Sequence, residues 1–121
     1  MKISIVGTGA MGSVYAGRFA KAGHEVWAID VWQAHLDAIA RGGLTVSGAS
    51  GSFVVENLHT GRTPAAAGVS DIWIVATKAA DVEAVAAAIA PQVQPDSIVM
   101  AWSMLVGCCI FPPETSRCPL R

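Results

Sequence analysis

An α/β fold, with a doubly wound, mostly parallel sheet and helices on both faces, is what the sequence predicts, and three observations carry that expectation. Short β-branched runs alternate with stretches whose apolar residues recur at helical spacing. The connections are short, which favours right-handed crossovers between parallel strands. The first run stops at Gly7-Thr8-Gly9-Ala10-Met11-Gly12, a glycine-rich turn that opens a helix, so the expected arrangement is Rossmann-type.

Lys2 to Val6 reads as a buried strand. The helix expected from Ala10 to Ala22 has no proline and carries Gly12, Ala16 and Ala20 on one face, a stripe of small residues that lets it lie close to a sheet. Gly23 stops it, and Glu25 to Asp30 is a second strand ending in a carboxylate. A second helix runs from Gln33 to Arg41, with Leu36, Ile39 and Ala40 on one face and Gly42-Gly43 at its end. Leu44 to Val46 and Phe53 to Val55 are strands joined by a glycine-rich hairpin, Ser47 to Ser52. Thr60 to Gly68 is a loop, with at most one helical turn started by Pro64. Asp71 to Thr77 is a strand, and Val82, Val85, Ala86, Ile89 and Val93 form one apolar helical stripe. Pro95-Asp96 turns the chain into a last strand, Ser97 to Ala101. The expected order is β-α-β-α-β-β-β-α-β, with residues 1–100 as the domain and 101–121 as a tail.

With 121 residues, 53% hydrophobic and 14% charged, the chain holds one core and not two. A net charge of -1 offers no basic surface for nucleic acid and no polybasic stretch for anionic membrane. The N-terminal apolar run breaks at Gly7 before an export signal develops, and the uncharged stretch from Ser97 to Pro113 is shorter than the ~20 apolar residues that span a bilayer. The expectation is a cytoplasmic protein with a small partner. Cys108, Cys109 and Cys118 are odd in number and clustered at one end, which is not a disulfide framework, and their spacing without a nearby histidine is not a zinc pattern. No metal is expected.

The glycine turn carries the chemistry. Gly7 permits the tight turn, Gly9 lets the backbone approach a pyrophosphate, and Gly12 lets the helix pack against the sheet, while the amides around Thr8, Ala10 and Met11 face the phosphates from the helix N-terminus. Asp30, eighteen residues after Gly12, completes the dinucleotide fingerprint. Its carboxylate can accept from the adenosine ribose hydroxyls, or simply cap the second helix. It favours NAD over NADP, because a 2′-phosphate ~4 Å away is repelled by roughly 1 to 4 kcal/mol and Val31, Trp32 and Gln33 offer no compensating cation. Lys78 stands at the carboxyl end of its strand, the edge where ligands bind in such sheets. It can meet a phosphate, a ribose hydroxyl or a substrate carboxylate, or be a solvated lysine before a helix. His24, His35 and His59 are scattered and expected at the surface or half-buried; Trp27 and Trp73 lie inside strands and are expected in the core.

The run from Met1 to Ser13 resembles the opening of the ketopantoate reductases, also called 2-dehydropantoate 2-reductases, and so do Ala22 to Val26, Asp30 to His35 and Val75 to Ala79. The resemblance covers residues 1 to about 100. It implies an NADP-linked reductase that converts 2-dehydropantoate to pantoate on the way to pantothenate and coenzyme A, with Lys78 at the cleft between cofactor and substrate. Many members hold the 2′-phosphate with a basic residue where Val31 stands here. The resemblance also implies an Asn-Gly-Leu-Gly segment and a second, helical domain carrying a general-acid lysine and a substrate-binding glutamate. This chain has only Lys2, Lys21 and Lys78, so no catalytic residue is assigned in it.

After Met100 the sequence Ala101 to Pro113 departs from that pattern. Back-translated and read two nucleotides along, the stretch from Met100 permits Asn-Gly-Leu-Val-Asn, so residues from about Ala101 to Arg121 are expected to be out of frame. The apolar face left bare invites homo-oligomerisation, unless the tail folds back over it and extends the last strand through Trp102. The first expectation is therefore a cofactor domain that binds a nicotinamide dinucleotide without turnover. The alternatives are a self-associating dinucleotide-binding module and the cofactor domain of another 2-hydroxyacid-type dehydrogenase.

Overall fold

The computed structural model describes residues 1–103 and 107–111. Residues 104–106 and 112–121, which include Cys118, lie outside the described part. The apolar run Lys2–Val6 forms β1 at the centre of a six-stranded sheet. After it come α1 (Ala10–Lys21), β2 (Glu25–Ile29), α2 (Gln33–Gly42), β3 (Leu44–Gly48), β4 (Gly51–Val55), β5 (Leu58–Gly61), α3 (Pro64–Ala67), β6 (Ile72–Val75), α4 (Val82–Ile89), β7 (Ile98–Ser103) and β8 (Gly107–Phe111). Short 3-10 turns, Ala79–Asp81 and Ala90–Gln92, flank α4 and account for the ends of the longer helix that the apolar stripe predicts.

The sheet order is β5-β2-β1-β6-β7-β8, parallel throughout except for β8, which runs antiparallel to β7. Strand alternation sends side chains to opposite faces. Ile3, Ile5, Val26 and Ile74 pack on one face with α1, with Ile39 of α2 and with the β3–β4 hairpin, which makes its own two-stranded sheet. Val6, Ile29, Trp73, Val75 and Ala101 pack on the other with Ala67 of α3 and Ile89 of α4. Helices therefore cover both faces, as the sequence predicts. The small stripe of α1 is buried, Gly12, Ala16 and Ala20 together with Gly17. Three buried serines are paired: Ser4 Oγ meets Ser70 Oγ at 2.6 Å, and Ser97 Oγ donates to the Ser70 carbonyl at 2.8 Å.

Three expectations need correction. Thr60 and Gly61 are not loop: Leu58–Gly61 is the edge strand β5, in parallel register with β2 from Val26↔Leu58 to Ile29↔Gly61. Leu-His-Thr-Gly has one apolar residue, so no periodicity announces it; the exposed edge of β2 makes it a strand. The hairpin is also tighter than Ser47 to Ser52, because Gly48 pairs with Gly51 and only Ala49-Ser50 turn the chain. Finally, Ala40 and Ala86 are exposed rather than core. The last strand does extend through Trp102, to Ser103, and the chain folds back as β8. Trp73 is fully buried, whereas Trp27 is half-buried and stacks on His59 at 5.0 Å.

Candidate functional site

The carboxyl ends of β1, β2 and β6 converge on the glycine turn. Gly7 leaves β1 with φ +95°, and its N–H donates to the Ile29 carbonyl of β2 at 2.8 Å. A side chain here would be strained, and a Cβ would stand 2.8 Å from the Ala76 carbonyl oxygen at the end of β6. A Cβ on Gly12 would collide with the Gly7 carbonyl oxygen. Glycine at both positions is thus demanded by the fold. Gly9 differs, because a Cβ there would meet nothing within 4 Å, and the residue is exposed. Among the described residues nothing crowds that position, and the backbone there stays open to approach from outside.

Thr8 is 2% exposed and is held from several sides. Its N–H and its hydroxyl both donate to Asp30 Oδ2, each at 2.8 Å. Its carbonyl accepts from Ser13 Oγ at 2.8 Å and from His35 Nε2 at 2.9 Å. A carbonyl only accepts, so His35 Nε2 carries a proton. With Thr8 fixed, Gly9 caps α1, and its carbonyl receives the Ser13 N–H at 2.9 Å. The N–H groups of Gly9, Ala10, Met11 and Gly12 have no hydrogen-bond acceptor among the described residues. The first turn of α1 has no acidic residue to neutralise that end. The result is a cluster of amide donors, with Gly9, Ala10 and Met11 exposed, at the positive end of a helix dipole, a place suited to an anion.

Asp30 does not cap α2. The cap position is Trp32, without a side-chain cap bond, and the Trp32 N–H donates to Asp30 Oδ1 at 3.1 Å. Partial burial pushes the Asp30 carboxyl up, but hydrogen bonds from the Thr8 and Trp32 N–H groups, the Thr8 hydroxyl and the Val31 N–H outweigh it and leave the pKa lowered. The carboxylate is ionised and fastened to the turn. A carboxylate has about four acceptor sites, so Oδ1 retains capacity for another donor.

The sequence-derived residues Gly7 to Gly12 and Asp30 form one hydrogen-bonded unit. Lys78 lies on the next loop, exposed, directly after β6 and two residues beyond Ala76. Among the described residues no hydrogen bond joins it to that unit. Sequence reading missed His35, Ser13 and Thr77. The Thr77 hydroxyl is buried without a partner among the described residues, and its methyl carbon lies 3.0 Å from where a Gly7 Cβ would stand. A histidine at helical spacing from a tryptophan carries no pattern of its own, so His35 had no signal; Thr77 was visible only as a neighbour of Lys78. Among the described residues no group of three or more His, Cys, Asp or Glu could hold a metal, and no helix is long and apolar enough to cross a membrane.

The sheet order and the glycine turn that leaves its central strand make this a Rossmann-type α/β domain. Residues 3–102 match the family described as ketopantoate reductase PanE/ApbA, and the chain belongs to that family. A PanE/ApbA family ketopantoate reductase from Ralstonia eutropha JMP134 is 32% identical with a TM-score of 0.77, over 85% of this chain and 34% of its own. D-mandelate dehydrogenase in ternary complex with NADH and anilino(oxo)acetate is 29% identical with a TM-score of 0.75, over 85% of this chain and 33% of its own. The 2-dehydropantoate 2-reductase from Methylococcus capsulatus shares the fold at 24% identity and a TM-score of 0.71, over 85% of this chain and 33% of its own. The chain therefore spans about a third of the length of these structures. No curated protein sequence matches it.

Proposed function

We propose that the chain holds a nicotinamide dinucleotide, with the pyrophosphate on the amides of Gly9 to Gly12, as the cofactor-binding half of a 2-dehydropantoate 2-reductase. The observation that carries this reading is Gly9: among the described residues nothing fills the space in front of its Cα, and four amides beside it have no acceptor. Asp30 offers Oδ1 to a ribose hydroxyl, and Val31, Trp32 and Gln33 bring no cation for a 2′-phosphate, which favours NAD over the NADP implied by the family. Lys78 and Thr77, whose hydroxyl has no partner among the described residues, follow β6 at that edge and would meet the nicotinamide side or the substrate.

A relative about three times as long supports the reading that residues 1–100 are one domain of a larger enzyme. The cofactor, when bound, would supply hydride, and Gly9 to Gly12 and Asp30 would hold and orient it. Calorimetric titration with NADH and NADPH, followed by addition of 2-dehydropantoate, tests all of this. Binding with no oxidation is expected, with NADH the tighter. Failure of either cofactor to bind removes the reading, and turnover by this chain alone removes the half-enzyme part of it. The out-of-frame origin of residues 101–121 is tested in the coding DNA, where one insertion or deletion near the Met100 codon should restore a long open frame.

Two observations favour other readings. Likeness to D-mandelate dehydrogenase keeps a different 2-oxoacid in play, to be decided by offering such acids to an extended chain. Ile98 and Trp102 are exposed on the face of β7 where the Trp102 ring lies 5.4 Å from Tyr15 of α1, which favours self-association, measurable by light scattering.

A further inference from the structure

The dinucleotide reading uses the backbone of the glycine turn and the carboxylate of Asp30, and it leaves the most prominent side chain nearby without a task. Trp32 is 65% exposed and follows Val31, itself 79% exposed, directly after Asp30. Lone exposed apolar residues are ordinary, but two adjacent ones at the ligand edge of a sheet are a small patch of a particular kind. The ring is also held. It stacks on His35 with centroids 5.4 Å apart and an interplanar angle of 18°. The Trp32 N–H is bound by Asp30 Oδ1, and its carbonyl accepts the N–H groups of His35 at 3.1 Å and Leu36 at 3.2 Å. His35 in turn donates from Nε2 to the Thr8 carbonyl. An exposed ring, a backing ring and the phosphate-facing turn are thus joined through two contacts.

We propose that the Trp32 ring, backed by His35, is the platform on which the planar heteroaromatic base of the nucleotide stacks, with Val31 at its edge. The proposal rests on the dinucleotide reading and adds the chemistry of the end remote from the hydride. An indole face suits any flat base, because stacking asks only for a π-surface. The stack on His35 leaves little rotamer freedom to lose on binding, so the platform is formed before the ligand arrives. The link through Thr8 sets base and pyrophosphate sites in a fixed relation. The ligand class is therefore a nucleoside diphosphate unit, and a bare pyrophosphate would use only the turn.

The test is calorimetry on the full chain with ADP and with inorganic pyrophosphate, comparing wild type, Trp32→Leu and Trp32→Phe. Loss of base stacking should weaken ADP roughly tenfold in Trp32→Leu, while the phenyl ring of Trp32→Phe restores most of the affinity. Pyrophosphate should bind all three alike. The melting temperature should be the same in all three, since the ring is largely in solvent. Unchanged ADP affinity in Trp32→Leu overturns the platform and leaves the dinucleotide reading standing. Equal weakening of ADP and pyrophosphate also overturns it, because the ring would then act through the turn. A wild-type chain that binds neither ADP nor NADH removes both readings together.

Discussion

The two βαβ halves of the sheet, β1-α1-β2 and β6-α4-β7, are built to one plan and finished differently at the ligand edge. In the first, Asp30, Ser13 and His35 all reach back to Thr8, and neither Gly7, against the Ala76 carbonyl, nor Gly12, against the Gly7 carbonyl, has room for a side chain. In the second, Ile89 is the one fully buried residue of α4, Lys78 is exposed, and the Thr77 hydroxyl is buried without a partner among the described residues. The first half has spent its polar groups on shaping a turn, whereas the second still holds polar groups unspent. A phosphate site needs amides fixed in advance, since preorganised donors cost nothing to order at the moment of binding. A site that meets a substrate can leave its groups to be completed by what arrives.

Substitutions can break or sharpen this contrast. The largest effect is expected for Gly12→Ala, where the new Cβ overlaps the Gly7 carbonyl oxygen; a loss on the order of 3 kcal/mol in urea unfolding follows from overpacking against backbone. Gly9→Ala, with open space before it, should leave stability within about 1 kcal/mol while weakening NADH. A Gly12→Ala protein as stable as wild type would undo the close-contact account.

Asp30→Ala should cost about 2 kcal/mol, because the buried Thr8 N–H and hydroxyl lose their acceptor. Its pH signature has a definite sign. The native pKa is lowered from 3.8, so the carboxylate contributes its full stability above that value and loses it as the pH falls through the lower native pKa. Acid unfolding followed by circular dichroism should show a limb below pH 3.8 that is shallower in Asp30→Asn.

Thr8 and Thr77 give a matched pair. Thr8→Val removes a hydroxyl bonded to Asp30 and should cost about 1 kcal/mol, whereas Thr77→Val removes an unpaired buried hydroxyl and should be neutral or stabilising by up to about 1 kcal/mol. Equal costs in thermal unfolding would mean that the two halves are finished alike. The smallest structural effect is expected for Lys78→Ala, within about 0.5 kcal/mol for an exposed side chain. If Lys78 meets the cofactor, NADH affinity should nevertheless fall roughly fivefold, read by calorimetry.

Much of this was legible in the residues. β1, β2 and β6 are short, largely apolar runs because most of their residues are buried between the helices of the two faces, and buried parallel strands write themselves as apolar segments. The small face of α1 announced its close approach to the sheet. β5 was not legible, since an edge strand of Leu-His-Thr-Gly is made by the free hydrogen-bonding groups of β2 and not by its own composition. The clustering of Gly7 to Gly12 with Asp30 followed from spacing, but the bonds through which Asp30 braces the turn did not.

By itself the sequence determined the α/β alternation, the glycine turn and the carboxylate at the end of the second strand, because periodicity, glycine placement and charge are local properties of a chain. Only the tertiary structure decided that Gly7 and Gly12 serve packing while Gly9 opens outward, that His35 supports Thr8, and that Trp32 stands exposed on a fixed base. Those facts depend on distances between β1, β2, α2 and β6, and a distance between segments far apart in the chain exists only once the sheet has brought them together.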